Sequence, residues 1–323
     1  MKEAKIISIT GGTGHLGHCL IKMLLQQGFT IKALYTSNLP VFNHPKLTWV
    51  KGDITVPNTF KDFLENSNSL IHSAALISIG DKNENEVYLT NIIGTENLIN
   101  ACTNHRVKMI YISSSAAVLE TKGNEVFNEN RPYKKQQGFA YDYSKATAEQ
   151  KVLDAVKKKY IQAFILRPTA IIGPPDFRPS QFGKTILAMA DYKMPIITKG
   201  GYNLVDVRDV SQTIINSIDM GRSGEIYLIS GTYLKVKQIA KIANPNKLFA
   251  TLSINFLIAV LPLINCYKKV FGLPWPISKE SLITLKLAPK NMDNTKAKKE
   301  LKHSSRPISE TINELLIWFR KEK

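Results

Sequence analysis

A tyrosine and a lysine four residues apart are the pair in this chain best suited to proton transfer. Tyr141 and Lys145 begin a segment whose composition favours a helix, where this spacing places both side chains on one face. A tyrosine with a pKa of about 10 exchanges protons poorly at neutral pH, and a neighbouring ammonium lowers that pKa by stabilising the phenolate. The pair is therefore predicted to exchange a proton with a substrate oxygen.

The same spacing recurs at Tyr233 and Lys237, so spacing alone does not identify a site. We interpret the second copy as chance, because nothing suited to catalysis precedes it. The first copy follows an apolar strand, 109–112, that ends in three serines at 113–115. Such a run can be a simple turn or cap. At the carboxyl end of a strand in an open α/β sheet, however, it lies where ligands bind, and a serine there could hold a substrate oxygen.

A glycine-rich turn near the start of the chain predicts a dinucleotide site. A β-rich run at 5–10 leads into Gly11, Gly14 and Gly17, and a helix with periodic apolar residues follows over 16–27. Glycines here allow a tight turn and close approach of the backbone to a pyrophosphate, and the helix N-terminus offers free N–H groups. An ordinary glycine-rich turn is the alternative. The order strand, turn, helix favours the nucleotide.

The choice of cofactor depends on the ends of the next two strands. The strand 30–35 is followed neither by the acid typical of NAD sites nor by the arginine typical of NADP sites. Thr36 and Ser37 could donate to a 2′-phosphate, and no carboxylate would repel it, so we predict NADP(H) over NAD(H). The third strand, 47–54, ends in Asp53, which could hold the adenine amino group or be a simple turn aspartate.

These motifs together resemble the extended short-chain dehydrogenase/reductase family, also called the NAD-dependent epimerase/dehydratase family. Within it, the chain most resembles the branch of dihydroflavonol reductases and 3β-hydroxysteroid dehydrogenases. The matches run in family order and comprise the glycines at 11, 14 and 17, Gly52-Asp53, His72 with Ala74-Ala75, Asn91 with Gly94-Thr95 and Asn97, the serines at 113–115, Tyr141 with Lys145, the segment 166–173, and the segment 205–210.

The resemblance implies a role for each matched residue. Ser115 is the catalytic hydroxyl, Tyr141 the acid–base group, and Lys145 its partner and a ligand of the nicotinamide ribose. No metal is expected, and His72 is at least as well interpreted as a packed histidine. With Thr36 added from the strand end, the predicted cofactor-binding residues are Gly11, Gly14, His15, Leu16, Gly17, Thr36, Asp53, Ile54, Ala74, Ala75, Asn91, Lys145, Pro168 and Thr169.

One departure from the family pattern bears on the reaction. The resemblance to UDP-sugar epimerases implies an asparagine at this position, where it helps to hold the sugar diphosphate, but this chain has Ala170. We therefore predict an NAD(P)-dependent oxidoreductase that passes hydride between nicotinamide and a ketone, aldehyde or secondary alcohol. An NAD-dependent sugar epimerase or dehydratase is the alternative enzyme. A catalytically silent nucleotide-binding regulator is the third possibility, and the intact set of Ser115, Tyr141 and Lys145 argues against it.

Alternating strands and helices up to about residue 172 predict an α/β fold, a doubly wound parallel sheet of the Rossmann type. Prolines at 174, 175 and 179 then break regular structure. We predict a nucleotide-binding domain over 1–172 plus 202–230. A smaller α/β substrate domain is predicted over 173–201 plus 231–323.

Composition limits where the protein acts and with what. The chain of 323 residues is 44% apolar, and its three cysteines are isolated, without disulfide or zinc spacing. No signal peptide is evident, so we predict a cytoplasmic protein. The resemblance implies a homodimer. The net charge of +17 raises the question of nucleic acid, but the lysines are scattered and no aromatic-interleaved basic motif is present, so we predict none.

An uncharged stretch at 248–267, with two lysines near each end, allows three interpretations. Twenty such residues could span a bilayer. Asn255, Pro262 and Asn265 interrupt the stretch and disfavour that interpretation. We predict a core helix or a lid over the substrate. Peripheral contact with a membrane surface, and with it a lipophilic substrate, is the alternative.

Overall fold

The structure is a computed structural model that describes residues 5–38, 40, 42–77, 83–121, 124–136, 138–271 and 278–321, without the side chains of 264–271. Its strands are β1 (Ile6–Thr10), β2 (Thr30–Tyr35), β3 (Leu47–Lys51), β4 (Ser69–His72), β5 (Lys108–Ile112), β6 (Ala163–Pro168), β7 (Ala170–Ile172), β8 (Ile196–Thr198), β9 (Gly201–Asp206), β10 (Ile226–Ile229), β11 (Thr232–Lys235) and β12 (Ala250–Leu252). Its α-helices are α1 (His15–Gln26), α2 (Glu84–Tyr88), α3 (Gly94–His105), α4 (Ala140–Lys157), α5 (Gln181–Ala190), α6 (Val207–Met220), α7 (Val236–Ala243), α8 (Ile254–Phe271), α9 (Lys279–Leu287), α10 (Thr295–Leu301) and α11 (Ile308–Lys321).

The main sheet has seven strands in the order β3-β2-β1-β4-β5-β6-β10. Every neighbouring pair in it is parallel. The strand order reverses between β1 and β4, and in open sheets of this kind a ligand crevice forms outside the carboxyl ends of the strands at that point. The predicted doubly wound sheet is confirmed.

Helices cover both faces of this sheet, as buried parallel strands require. On one face, α1, α6 and α10 contribute Leu20, Ile214 and Leu301 to the core. On the other face, α3 and α4 contribute Leu98 and Val152. The strands between them are therefore buried on both sides, and only their ends are open to a ligand.

A second core lies outside the main sheet. It joins α5, α7 and α11 to the small sheet β11-β9-β7, through residues such as Ile186, Leu204, Ile239 and Ile312. The packing crosses the predicted division twice: β9 belongs to the small sheet, and α10 packs on the main sheet. The division into two domains stays a prediction.

Two local boundaries differ from those expected. β3 ends at Lys51, so Asp53 lies in the following turn and not at the strand end. The apolar spacing over 91–101 also predicts a helix; the helix there begins earlier, at Glu84, and passes through one π-helical turn, Leu89–Ile93, before α3. Asn91 is buried within that π turn, and such insertions are frequent at functional sites.

The uncharged stretch at 248–267 forms parts of two elements. The first part of the stretch contains β12, and the rest belongs to α8, which starts at Ile254 and contains Pro262. Leu257 and Leu261 are buried, whereas Phe256 and Leu263 are exposed, so α8 has one face in the core. The side chains of 264–267 lie outside the described residues. Among the helices that are described, none combines the length and the apolar character needed to cross a membrane.

Candidate active site

The glycine turn between β1 and α1 is too crowded for larger residues. Gly11 has φ +73°, and a Cβ there would lie 2.7 Å from the Ala74 backbone nitrogen. A Cβ on Gly17 would lie 2.1 Å from the Gly11 carbonyl oxygen. The turn closes with a hydrogen bond from the Gly14 N–H to the Gly11 carbonyl oxygen, 3.0 Å. Only glycine meets these distances, and the backbone is left bare toward the crevice.

The N-terminus of α1 is built to receive an anion. Gly14 caps the helix without a side-chain hydrogen bond, and the first turn of α1, which is fully described, holds no acidic residue. Its N–H groups and the positive end of the helix dipole are thus available to a phosphate. His15 Nε2 donates a 2.7 Å hydrogen bond to the Gly173 carbonyl oxygen, and so links this turn to the loop after β7.

The tyrosine and the lysine lie on α4 beside the carboxyl end of β5, as predicted. Lys145 is 2% exposed, and its Nζ donates to the Ile112 carbonyl oxygen at 2.8 Å. The same Nζ lies 4.7 Å from the centre of the Tyr111 ring. Tyr141 and Lys145 both line the cavity at the strand ends. The second tyrosine–lysine pair does not share one helix, since Tyr233 is on β11 and Lys237 is on α7.

The protonation of this pair differs from expectation. Burial raises the pKa of Tyr141 to about 12; a hydrogen bond with Ser114 opposes the rise, and the charge of Asp142 adds to it. Burial lowers the pKa of Lys145 to about 7, against the attraction of Glu149. We expected Lys145 to lower the tyrosine pKa. Here the Lys145 Nζ is directed to the Ile112 carbonyl oxygen, and burial sets the direction of both pKa values, so at neutral pH the phenol is protonated.

The three serines take different positions. Ser115 begins a short 3-10 turn and lines the cavity. Ser114, a member of the predicted run to which sequence analysis assigned no role of its own, also lines the cavity, accepts from the Ala116 N–H at 3.1 Å and hydrogen-bonds Tyr141. Ser113 is buried. The family resemblance pointed to the third serine, and only the fold shows that the second one reaches the phenol.

Two buried hydroxyls test whether the cavity fits a nicotinamide cofactor. The Oγ of Ser113 and the Oγ1 of Thr169 have no hydrogen-bond partner within the described structure, yet both residues line the cavity. Unpaired buried polar atoms are costly, so their presence here indicates groups that a polar ligand would satisfy. Together with the bare glycine turn, they fit a dinucleotide cofactor.

Asn91 holds the backbone beside the cavity, whereas His72 contacts two threonine hydroxyls. Asn91 accepts from the Leu76 N–H at 2.8 Å, and donates to the Leu76 carbonyl oxygen at 3.0 Å and to the Ser144 hydroxyl at 2.9 Å. It thereby fixes the loop after β4 that carries Ala75 into the cavity wall. His72 is buried between the hydroxyls of Thr10 and Thr95, and burial lowers its pKa to about 3. It is a packed, neutral histidine.

Asp53 and Ile54 take part in the packing of their own turn. The Oδ1 of Asp53 accepts from the N–H and the hydroxyl of Thr55, both at 2.8 Å. Ile54 is buried against α3, and its carbonyl oxygen accepts from Asn97 at 2.9 Å. Thr36 is exposed just after β2. The arrangement of Asp53 is that of a turn aspartate, and an adenine contact would have to use its other oxygen.

One cavity of about 490 Å³ joins the predicted residues at the strand ends. Five predicted residues are not part of its wall: Thr36, Asp53, Ile54, Ala74 and Asn91. The wall also includes charged residues that sequence reasoning missed, namely Glu120, Lys134 and Asp142. The predicted residues that the wall brings together are Gly11, Gly14, His15, Leu16, Gly17, Ala75, Ser115, Tyr141, Lys145, Pro168 and Thr169.

Known proteins are similar to this chain in sequence and in fold. The chain is 32% identical over 237 residues to sterol demethylase protein B of Methylococcus capsulatus, covering 72% of this chain and 71% of that one. It is 30% identical over 240 residues to a putative dihydroflavonol 4-reductase of Synechocystis, covering 72% and 69%. The crystal structure of gox2253 superposes with a TM-score of 0.85 at 26% identity, covering 98% of each chain.

A family-level match covers the part of the chain that forms the glycine turn, the serines and the Tyr141–Lys145 pair. The model of the NAD dependent epimerase/dehydratase family matches residues 7–230, which is more than half of the chain. This range includes every strand of the main sheet except the first residue of β1. By sequence, fold and cavity, the chain belongs to the NAD dependent epimerase/dehydratase family.

Proposed function

We propose that this NAD(P)-dependent oxidoreductase reduces a ketone or an aldehyde to the alcohol. The observation that carries the proposal is the place of Tyr141, which lines the cavity together with Ser115 and Lys145. Its phenol is half-buried and has a pKa raised to about 12, so at neutral pH it holds a proton that it can donate. A carbonyl oxygen that becomes an alkoxide during reduction needs such a donor.

Each residue that lines this part of the cavity has one task in the proposed reaction. Bound NAD(P)H would supply the hydride to the carbonyl carbon. Ser115, with Ser114 beside it, holds the carbonyl oxygen, and Tyr141 transfers its proton to that oxygen as the C=O bond becomes a C–OH bond. Lys145, whose pKa is lowered to about 7, can return a proton toward the tyrosine side of the cavity. Pro168 and Thr169 bound the nicotinamide side.

A screen of ketones, aldehydes and nucleotide sugars, followed by cofactor absorbance and product analysis, tests this proposal. Net oxidation of NAD(P)H with a carbonyl compound supports a reductase. Conversion of a nucleotide sugar without net change of the cofactor would support the epimerase or dehydratase alternative. Ala170 lies in the cavity wall on β7, where it offers no hydrogen bond to a sugar diphosphate, and this favours the reductase.

NADP(H) should bind more tightly than NAD(H), because no carboxylate follows β2. Thr36 is exposed at that position. The variant Thr36→Arg should widen the preference by about tenfold, since an arginine–phosphate hydrogen bond is charge-assisted. Titration calorimetry with both cofactors measures the ratio, and Thr36→Gln is the uncharged control. Tighter binding of NAD(H) to the unchanged protein would contradict the assignment.

The proposal includes the setting in which the enzyme works. We place the small-molecule substrate between a nucleotide-binding domain, 1–172 plus 202–230, and a substrate domain, 173–201 plus 231–323. We propose a cytoplasmic homodimer that binds no nucleic acid. The mixed packing of β9 and α10 supports a close fit between the two parts of the chain.

We also propose that the surface around α8 touches anionic membrane. Leu248 is 87% exposed and Leu263 73%, an unusual exposure for leucine. Lysines contact the same surface: Lys286 Nζ donates to the Asn255 Oδ1 of α8 at 2.9 Å, and Lys247 Nζ lies 5.2 Å from the Tyr192 ring centre. Basic residues near an anionic surface contribute about 1 kcal/mol each, and buried apolar groups add to this. A lipophilic substrate could then enter from the membrane.

Sedimentation with vesicles checks this contact. Phosphatidylserine vesicles at low salt should carry the protein down, whereas phosphatidylcholine vesicles should not. The double variant Leu248→Ser/Leu263→Ser should lose most of this binding. Ile317→Ser is the control, because Ile317 is 51% exposed on α11, outside the proposed surface. If the unchanged protein stays in solution with phosphatidylserine vesicles, membrane contact is removed from the proposal.

A further inference from the structure

Three charged side chains form one cluster beside the catalytic tyrosine. Lys134 Nζ lies 2.6 Å from the Asp142 Oδ2 and 2.5 Å from the Glu120 Oε1. The side chains of Lys134 and Asp142 are only 12% and 10% exposed. Charges are expensive to bury unless they are paired, so the three must be considered as a unit. We call this unit the charged wall.

The charged wall is part of the cavity, on the side where a substrate would lie. All three residues line the cavity together with Tyr141, and Asp142 is the next residue after it. The charge of Asp142 reaches the phenol, since it raises the pKa of Tyr141. The side of the cavity contributed by the C-terminal segments is largely apolar, with Tyr202, Thr284, Ala288, Pro289 and Met292. A substrate therefore meets one charged surface in an otherwise mostly apolar space.

The sum of charges on this wall is negative. Two carboxylates share one ammonium, so the unit carries about one negative charge at neutral pH. Among the lining residues, Lys145 is the other lysine, but its Nζ is bound to the Ile112 carbonyl oxygen and burial lowers its pKa to about 7. A bound dinucleotide would add its own negative phosphates. The whole chain carries +17, so any rejection of anions inside the cavity has to come from local charges.

We propose that the charged wall of Glu120, Lys134 and Asp142 determines substrate charge: the cavity accepts neutral or cationic carbonyl compounds and rejects carboxylates and phosphates. The inference rests on the proposed function for its carbonyl substrate. At a few ångströms, and at the effective dielectric of a partly buried site, a unit charge is repelled strongly enough to weaken binding about tenfold or more. The same repulsion would disfavour nucleotide sugars.

Three ligands that share one acetophenone carbonyl test this inference. They are methyl 4-acetylbenzoate, which is neutral, 4-acetylbenzoate, which is an anion, and (4-acetylphenyl)trimethylammonium, which is a cation. Their dissociation constants are measured by calorimetry with the full chain and saturating oxidised cofactor, so that no reduction occurs. The anion should bind at least about tenfold more weakly than the neutral ester. The cation should bind at least as well as the ester.

Charge-removing variants locate the effect. Glu120→Gln and Asp142→Asn should each narrow the ratio of ester to anion affinity to about threefold, and Lys134→Met should widen it. Glu125→Gln is the matched control: it removes one carboxylate from an exposed ion pair with Arg131, outside the cavity wall, and should leave the ratio unchanged. Thermal unfolding verifies that each variant is folded. Glu120 is the most exposed member, at 27%, so its variant is the least disruptive.

Several outcomes would overturn the inference. Equal affinities for the three ligands, tighter binding of the anion, no detectable binding of the neutral ester, or an equal response of Glu120→Gln and Glu125→Gln would each do so. Tighter binding of the anion would make Lys134 an anchor for carboxylates. A chain that sorts the three ligands by charge but reduces no carbonyl compound would keep the charged wall and lose the reductase assignment, so the two proposals fail separately.

Discussion

Tyr141→Phe is expected to lower kcat/KM for carbonyl reduction by about 10²–10⁴-fold, the usual cost of losing a proton-transfer group. The variant keeps the aromatic ring in its buried place and removes only the hydroxyl that would protonate the substrate oxygen. Affinity for NAD(P)H should stay nearly unchanged, because the glycine turn and the N-terminus of α1 are untouched. Steady-state kinetics and calorimetry measure the two effects separately.

The chain supplies its own control for this experiment. Tyr233 has a lysine four residues later, but it lies on β11, whereas Lys237 lies on α7. Tyr233→Phe should therefore leave turnover close to that of the unchanged protein. Equal losses from the two substitutions would remove Tyr141 from the reaction. A large loss of cofactor affinity in Tyr141→Phe would instead make it a binding residue.

The pairing of Tyr141 with Lys145 and the crowding of the glycine turn could be predicted because their geometry is local. Two residues four positions apart on a helix share a face whatever the rest of the fold does, so the pairing follows from spacing once α4 is recognised. In the same way, Gly11 and Gly17 contact each other within a single turn. The parallel sheet follows from the alternation of strands and helices, and the structure confirmed that sheet.

The protonation of the pair could not be predicted, because it depends on tertiary burial. From spacing, Lys145 should lower the pKa of Tyr141. In the fold, the loop after β5 and the C-terminal segments enclose the cavity. Burial there raises the pKa of Tyr141 and lowers the pKa of Lys145. The same limit applies to Glu120 and Lys134, which are 14 residues apart in sequence and meet because the backbone of 117–119 pairs with that of 132–134.

The role of Arg167 was also hidden in the sequence. The family resemblance placed it beside Pro168 as part of a motif, without a task of its own. In the structure it is 1% exposed, and its guanidinium donates to the carboxylate of Glu149, which is fully buried. Its Nε lies 3.0 Å and 3.1 Å from the two Glu149 oxygens, and a further N–H donates to the Glu129 carbonyl oxygen at 2.7 Å. The Tyr133 hydroxyl donates to Glu149 at 2.9 Å.

Glu149 lies one turn after Lys145 on α4, so this ion pair holds Arg167 against the helix that carries Tyr141 and Lys145. Its charge also acts on Lys145, because the Glu149 carboxylate raises the lysine pKa against the effect of burial. β6, which carries Arg167, ends at Pro168, and both Pro168 and Thr169 line the cavity. One buried pair thus connects the strand and the helix that form two sides of the site.

Arg167→Met is expected to lower the free energy of unfolding by about 3–5 kcal/mol, because it leaves the Glu149 carboxylate buried without its partner. Urea denaturation followed by circular dichroism measures this loss. The double variant Glu149→Leu/Arg167→Met should recover a large part of it, since replacing both charges removes the unpaired group and leaves apolar side chains of similar size. Lys151→Met is the control, because the ion pair of Lys151 with Glu96 is about one-third exposed and should contribute at most about 1 kcal/mol. A loss below about 1 kcal/mol in Arg167→Met, or a double variant less stable than the single one, would contradict the view that this buried pair holds the strand and the helix of the site together.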